Sequence, residues 1–296
     1  MAKTLKSLLV VASIIIIAVL LACGAGQNSV EIYGLPSLVV FAALAFAVQW
    51  VVFIPSYWFQ TEHYYDLTGS ATYVLVVVSA ALAGQLVTAM DPRGLLVSVL
   101  VVVWAARLGL FLFRRVKRAG KDGRFDHIKP YWPRFLVVWT LQGLWVFVTL
   151  LAALVVLSAE TGKPLGVFGL LGVTVWLVGF AIEVIADRQK SAFNAVPENQ
   201  GRFVNVGLWR WSRHPNYFGE IVLWCGIAII AMPVLQGWQW LAMISPVFVA
   251  VLLTKISGVP LLEKRADDKW GADADYQQYK AGTSVLIPLP PGRASR

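Results

Sequence analysis

Eight apolar blocks, each close to the length of a membrane crossing, run through the 296-residue chain at approximately 8–24, 36–54, 71–90, 95–113, 135–157, 165–186, 218–235 and 238–256. A bilayer core about 30 Å thick is spanned by about 20 residues of helix. Backbone groups in lipid are satisfied only within helices or closed barrels. None of the blocks alternates over about ten residues as a barrel strand does, so strands are not indicated and the blocks predict an all-α, polytopic transmembrane helical bundle. Composition agrees, with 58% hydrophobic and 14% charged residues, against about 25% charged in a soluble domain. Cys23 and Cys225 lie in separate apolar blocks, which supports neither a disulfide framework nor a thiolate metal site. The three histidines, His63, His127 and His214, are too dispersed for a metal centre, and no metal is expected.

Charge then orients the bundle. With the N-terminus in the cytoplasm, the inside segments are 1–7, 55–70, 114–134, 187–217 and 257–296. Together with Lys255 at the last helix end, they hold 22 of the 25 Lys and Arg. Arg93 and Lys163 fall outside, and Arg107 falls within the fourth block. This is the positive-inside pattern; both termini are expected in the cytoplasm of a multi-pass inner-membrane protein. The net charge of +9 is accounted for by topology and does not call for nucleic acid. Lys3 and Lys6 before a run ending Leu20-Leu21-Ala22-Cys23 also fit a lipoprotein signal, whose removal would leave seven spans. The chain is expected to be a single integral-membrane unit, with N-terminal helices over 1–60 and a site-bearing region over 61–296.

Three polar segments on the predicted cytoplasmic side carry the chemistry. Gln60-Thr61-Glu62-His63-Tyr64-Tyr65-Asp66 has two acids and no Lys or Arg; it reads as a capping loop or as an acid held apart from cations. Arg114, Arg115, Lys117, Arg118, Lys121 and Arg124 crowd the second segment. They suit anionic lipid or, for Arg114 and Arg118, a cofactor phosphate. Arg107 lies about two turns inside its span, where cations usually face a polar cavity. Glu183 is its candidate partner, either as a structural pair or as a second wall of a ligand cavity. The third segment, 187–220, is dense in amide, guanidinium and aromatic groups: such groups neutralise phosphates, read amides and stack on rings. Neither common glycine-rich nucleotide motif is present.

Within that segment, Arg213-His214-Pro215-Asn216-Tyr217-Phe218-Gly219-Glu220 has DRQKSAF upstream and LLEKRADDKWGADADYQQYKAGTSVLIP downstream. The stretch resembles the C-terminal domain of the steroid 5-alpha-reductase family, most closely its bacterial multi-pass branch. The similarity covers about residues 60–290 in layout and reaches motif level from 180 onward. It implies NADPH in a pocket open to the cytoplasm and a steroid-like, lipid-soluble substrate entering from the bilayer. Carried over by position, Asp187, Asn194, Arg202, Asn216, Tyr217 and Glu220 would contact the cofactor, and Arg107 and Arg265 would reach its phosphates or ribose. Lys190, Arg188 and Arg202 are candidates for the 2′-phosphate; Trp209, Trp211 and Tyr217 are candidates for the adenine, with Arg213 and His214 in the same motif. The implied reaction reduces a carbon–carbon double bond conjugated to a carbonyl, with an acid polarising the carbonyl. Glu62 fits the family's acid position, and surroundings free of basic residues would favour its neutral form. The family's second acid, a Tyr, falls at Trp104, which cannot donate a proton; Tyr64 or Tyr65 is the substitute, with Tyr65 taken into the catalytic pair.

Two other classes stay open. Isoprenylcysteine carboxyl methyltransferases and phospholipid methyltransferases share RHPxYxG and bind S-adenosylmethionine there; a reductase needs cations near the adenosine end, whereas a methyltransferase places acids at the ribose hydroxyls. A transporter or structural role is the third class, though no internal repeat is visible. No protein partner is inferred.

Overall fold

A computed structural model describes residues 2–87, 91–120, 122–160 and 162–290, except for the side chains of 86, 87, 118 and 119. Among the described residues ten α-helices follow in order: α1 (Ala2–Ala25), α2 (Ser37–Trp58), α3 (Tyr65–Val87), α4 (Pro92–Ala119), α5 (Trp132–Leu157), α6 (Gly166–Ala195), α7 (Pro215–Ala231), α8 (Ile244–Val251), α9 (Val259–Trp270) and α10 (Ala274–Gly282). Among the described residues eight stretches are long and apolar enough to cross a membrane. The chain is a polytopic helical membrane protein. The last stretch, Gly237–Trp270, is composite: a 3-10 segment, α8, a π turn over Leu252–Ile256 and α9.

Two expectations are corrected. Two short strands, β1 (Glu31–Ile32) and β2 (Leu35–Pro36), pair antiparallel around Tyr33 and Gly34, whose φ values are +54° and +75°. Left-handed backbone at both turn positions suits the twist of a tight hairpin; a two-residue ladder leaves no alternation to read. The second correction is at α6, which continues to Ala195 as helix although its apolar block ends near 186.

The chain divides into two compact units, Met1–Gly169 with Ile230–Ser245 and Leu170–Ile229 with Pro246–Arg296. In the first unit α5 is the axis. It is apolar around its whole circumference and 89% of its membrane window is buried, against 22% for α1. It packs on α1, α2, α3 and α4. A helix apolar on all faces belongs in the middle of a bundle. At its first turns Phe125, Phe135 and Trp139 form a buried aromatic cluster joined by Phe53, Tyr57, Tyr65, Ile128 and Val138. At the far end α4 starts on Asp91, whose carboxylate accepts the Arg93 N–H at 3.2 Å, with Pro92 in the first turn. Carboxylate cap and proline are both favourable there.

In the second unit α6 and α7 run antiparallel and meet through glycines spaced by seven on each helix. A methyl at Gly219 would lie 2.6 Å from the Glu183 nitrogen and the Gly179 oxygen; one at Gly226 would lie 2.7 Å from the Gly172 oxygen and the Trp176 nitrogen. Small residues let backbones approach this closely where lipid gives no hydrophobic drive between helices.

Candidate functional site

The close α6/α7 crossing sets the polar residues of the second unit. Glu183, Asp187, Lys190 and Asn194 recur at helical spacing and so line one side of α6, which extends beyond the apolar block. Opposite them the first turns of α7 carry Asn216 and Glu220. Glu183, Asp187 and Glu220 are all buried, and the Asn216 amide donates to Asp187 Oδ1 at 3.3 Å. Beyond them Trp209 is buried; its indole N–H donates to the Ala186 carbonyl at 2.9 Å. The Lys190 ammonium lies 4.9 Å from the Trp209 ring centroid, a cation–π contact. The loop carrying Trp209 is pinned to α6 by Gln189, whose Oε1 accepts the Leu208 N–H at 2.8 Å. Carboxylates accept only, whereas the amide both donates and accepts. Such a set suits ribose hydroxyls or a carboxamide.

Arg213 and His214 face a different way. Both reach Glu263 on α9, at 3.0 Å from Arg213 Nη2 and 2.8 Å from His214 Nε2. The Arg213 guanidinium also donates to the carbonyls of Lys280 (2.5 Å) and Thr283 (3.5 Å). The Arg213 backbone N–H donates to the Ser284 carbonyl at 2.8 Å, and Leu289 N–H to the Trp211 carbonyl at 3.0 Å. These two residues therefore clamp the C-terminal segment. The His214 ring stacks on Tyr217 at 5.7 Å. Phe203 packs with Trp270, Tyr276 and Tyr279, and the Tyr279 hydroxyl donates to the Trp209 carbonyl at 2.6 Å. Burial, then the negative charges of Asp267 and Glu263, hold the Tyr276 hydroxyl up at about 12. The C-terminal helices thus buttress the segment that carries Trp209. Asn194, Arg202 and Arg265 are exposed.

The predicted acids lie in the first unit. Glu62 sits in the α2–α3 loop and is buried, but its surroundings are not free of cations. The Lys129 ammonium donates to Glu62 Oε2 at 2.6 Å, and the Asp122 backbone N–H donates to Oε1 at 3.0 Å. Sixty-seven residues separate Glu62 from Lys129, so the local sequence gave no sign of the pair. Tyr65 packs its ring 4.9 Å from Phe125 and 5.1 Å from Trp139; its hydroxyl donates to the Val138 carbonyl at 3.1 Å. On the flank Arg124 binds Asp122 at 2.5 Å and Asp66 at 3.6 Å, and Arg115 binds Asp66 at 3.4 Å. Burial alone would raise the Asp122 carboxyl, but the Arg124 hydrogen bonds and charge outweigh it and hold the carboxyl below its usual range. Trp104 is buried edge-on to Tyr73 at 5.1 Å, so a phenol does stand beside the position where the family's Tyr was expected. Arg107 lies 5.2 Å from the Phe111 ring centroid and Arg114 is exposed; the Arg118 side chain is outside the described residues. Sequence reading missed Lys129 and Tyr73. Lys129 could have been found only as the first lysine before α5, and Tyr73 only as a polar ring in an apolar block.

The sequence profile of the family described as "Protein of unknown function (DUF1295)" matches residues 52–283. Among curated relatives, an uncharacterized protein of Schizosaccharomyces pombe, C594.04c, is 23% identical over 52% of this chain and 54% of its own. The 3-oxo-5-alpha-steroid 4-dehydrogenase 1 of Bos taurus is 33% identical over 24% of this chain and 27% of its own. The protein of that name from Rattus norvegicus is 27% identical over 40% and 41%. The chain thus spans about half the length of these relatives or less. No solved structure matches it.

Proposed function

The chain belongs to the family described as Protein of unknown function (DUF1295), and from that premise we propose that it is an NADPH-dependent membrane reductase of a carbon–carbon double bond conjugated to a carbonyl in a lipid-soluble, steroid-like substrate. The observation that carries the reading is its similarity to 3-oxo-5-alpha-steroid 4-dehydrogenases of two mammals. Support comes from the second unit, where the Glu183, Asp187, Asn216 and Glu220 set fits the hydroxyl-rich part of a dinucleotide. Lys190 and Arg202 supply positive charge for its phosphates, and NADPH when bound supplies the hydride. Both termini and this site are assigned to the cytoplasmic side of the inner membrane, a reading that the distribution of Lys and Arg supports.

A second reading has one observation in its favour. Three buried carboxylates near one helix crossing also suit the ribose hydroxyls of S-adenosylmethionine, and membrane methyltransferases share the RHPxYxG signature. Thermal unfolding of the detergent-purified protein with NADPH, NADH or S-adenosylmethionine separates the two. A ligand at about 100 times its Kd stabilises the native state by about 2.7 kcal/mol. A rise in melting temperature with NADPH and none with S-adenosylmethionine is the expected result. The reverse pattern would move the assignment to methyl transfer. Arg202→Ala is expected to weaken NADPH about tenfold and leave NADH unchanged, because it deletes the guanidinium assigned to the extra phosphate; equal losses for both would remove Arg202 from that role.

A further inference from the structure

At the end of the first unit opposite its Lys- and Arg-rich segments, a pocket of about 320 Å³ opens between Asn28, Ala159, Glu160, Lys163, Gln236 and Gln239. That volume lies at the lower end of the about 300–1,000 Å³ of small-molecule sites. Its walls are the chain after α1, the chain after α5 and the 3-10 segment Gly237–Met243 ahead of α8, and all three are cross-tied. Ser29 and Ala159 form an isolated β-bridge, and the Val30 N–H donates to the Ser158 carbonyl at 2.9 Å. The Gln239 amide donates to the Gln27 carbonyl at 2.7 Å, and its oxygen accepts the Gln236 backbone N–H at 3.0 Å. Arg93 donates to the carbonyls of Lys163 at 3.3 Å and Leu165 at 3.1 Å. The backbone of the pocket is thus fixed without help from the charged side chains that line it.

The charged residues at this end differ in what they do. Arg93 is buried on carbonyls and Asp91 caps α4, while Glu31 lies in β1, outside the pocket wall. Glu160 and Lys163 remain, both exposed, and among the described residues neither side chain has a hydrogen-bond or ion-pair partner. An anion alone would face Glu160 and a cation alone would face Lys163; a ligand carrying both charges meets a complement at each. A carboxylate accepts the N–H bonds of an ammonium, and a lysine binds phosphate as a point charge. The amides of Asn28 and Gln236 add donors for the phosphate oxygens. Trp238 and Trp240, on the same 3-10 segment, are 62% and 50% exposed, as indoles are at the level of lipid headgroups. The helix packed on that segment, α1, exposes Ile16, Ile17 and Leu20, an apolar flank suited to acyl chains. We infer that the pocket binds a zwitterionic phosphate with a primary ammonium, the ammonium at Glu160 and the phosphate at Lys163, carried as the headgroup of a phospholipid. The inference does not depend on the reductase reading.

The test is native mass spectrometry of the full-length protein in detergent, titrated with phosphatidylethanolamine or with phosphatidylcholine of the same acyl chains. The two lipids have the same net charge, so the basic segments at the opposite end do not separate them, but the choline nitrogen has no N–H to give. Wild type is expected to hold phosphatidylethanolamine about tenfold more tightly, the worth of one charge-assisted hydrogen bond. Glu160→Gln is expected to erase that preference, and Lys163→Met to weaken both lipids about tenfold by removing the partner of the phosphate. Both variants are expected to melt with wild type, since neither side chain takes part in the cross-ties. Soluble glycerophosphoethanolamine identifies the source. If the lipid adduct survives an equal concentration of it, the lipid is the ligand; if the adduct is displaced, the zwitterion site stands and its lipid source is overturned. Equal affinity of wild type for the two lipids, a Glu160→Gln protein that keeps the wild-type preference, or a Lys163→Met protein that binds both as wild type does, overturns the inference.

Discussion

Gly219→Leu is expected to cost the second unit more than about 3 kcal/mol and to abolish any cofactor-induced thermal shift. Overpacking a well-filled contact costs about 1–3 kcal/mol when side chains can yield, and here the neighbours are backbone. A methyl alone would lie 2.6 Å from the Glu183 nitrogen and the Gly179 oxygen, so α6 and α7 must part before a side chain fits. Parting them moves Asp187 away from Asn216, whose amide reaches it at 3.3 Å, and separates Glu183 from Glu220. The effect on binding is therefore expected to exceed what destabilisation explains. Gly282→Ala is the control, since a methyl there meets nothing within 4 Å. Thermal unfolding and NADPH binding measured on both variants decide the matter: a Gly219→Leu protein that melts and binds like the Gly282→Ala control would show that the crossing does not organise the site.

The eight crossings were legible because length and apolarity are additive along the chain and need no partner to be recognised. Where polar residues begin, that signal ends, and this is why α6 was expected to stop near 186 although it runs to Ala195. The missed turns could have been read from Glu183, Asp187, Lys190 and Asn194, which recur at helical spacing in the polar run. The motif 213–220 was visible as a unit, but its internal division was not. Asn216 turns to Asp187, while Arg213 and His214 turn to Glu263 on α9, because neighbours on a loop leading into a helix point different ways. Ion pairs across long sequence separations were the least accessible. Glu62 looked free of cations because its local sequence is, and Lys129 comes to it only when the α2–α3 and α4–α5 segments fold together.

Arg93 stands in the sequence as one of two cations on the outer side, and the structure gives it a tying role at the start of α4. It is fully buried. Its guanidinium donates to the carbonyls of Lys163 (3.3 Å), Leu165 (3.1 Å), Pro164 and Ile230. The start of α4 is thereby tied to the segment after α5 and to the end of α7. The planar fork addresses several acceptors at once, which a lysine cannot do. Arg93→Met keeps the volume but leaves four carbonyls without their donor, and unmet buried groups of this kind cost about 1–3 kcal/mol each before relaxation. A net loss of on the order of 4 kcal/mol follows once water and local movement recover part of it, a fall in melting temperature of about 10 °C. Arg93→Lys is expected to recover less than half of that fall, whereas Arg114→Met, at an exposed position, is expected to match wild type. If Arg93→Met unfolds within about 2 °C of wild type, those carbonyls have found other donors and α4 is anchored by packing on α3 and α5 instead.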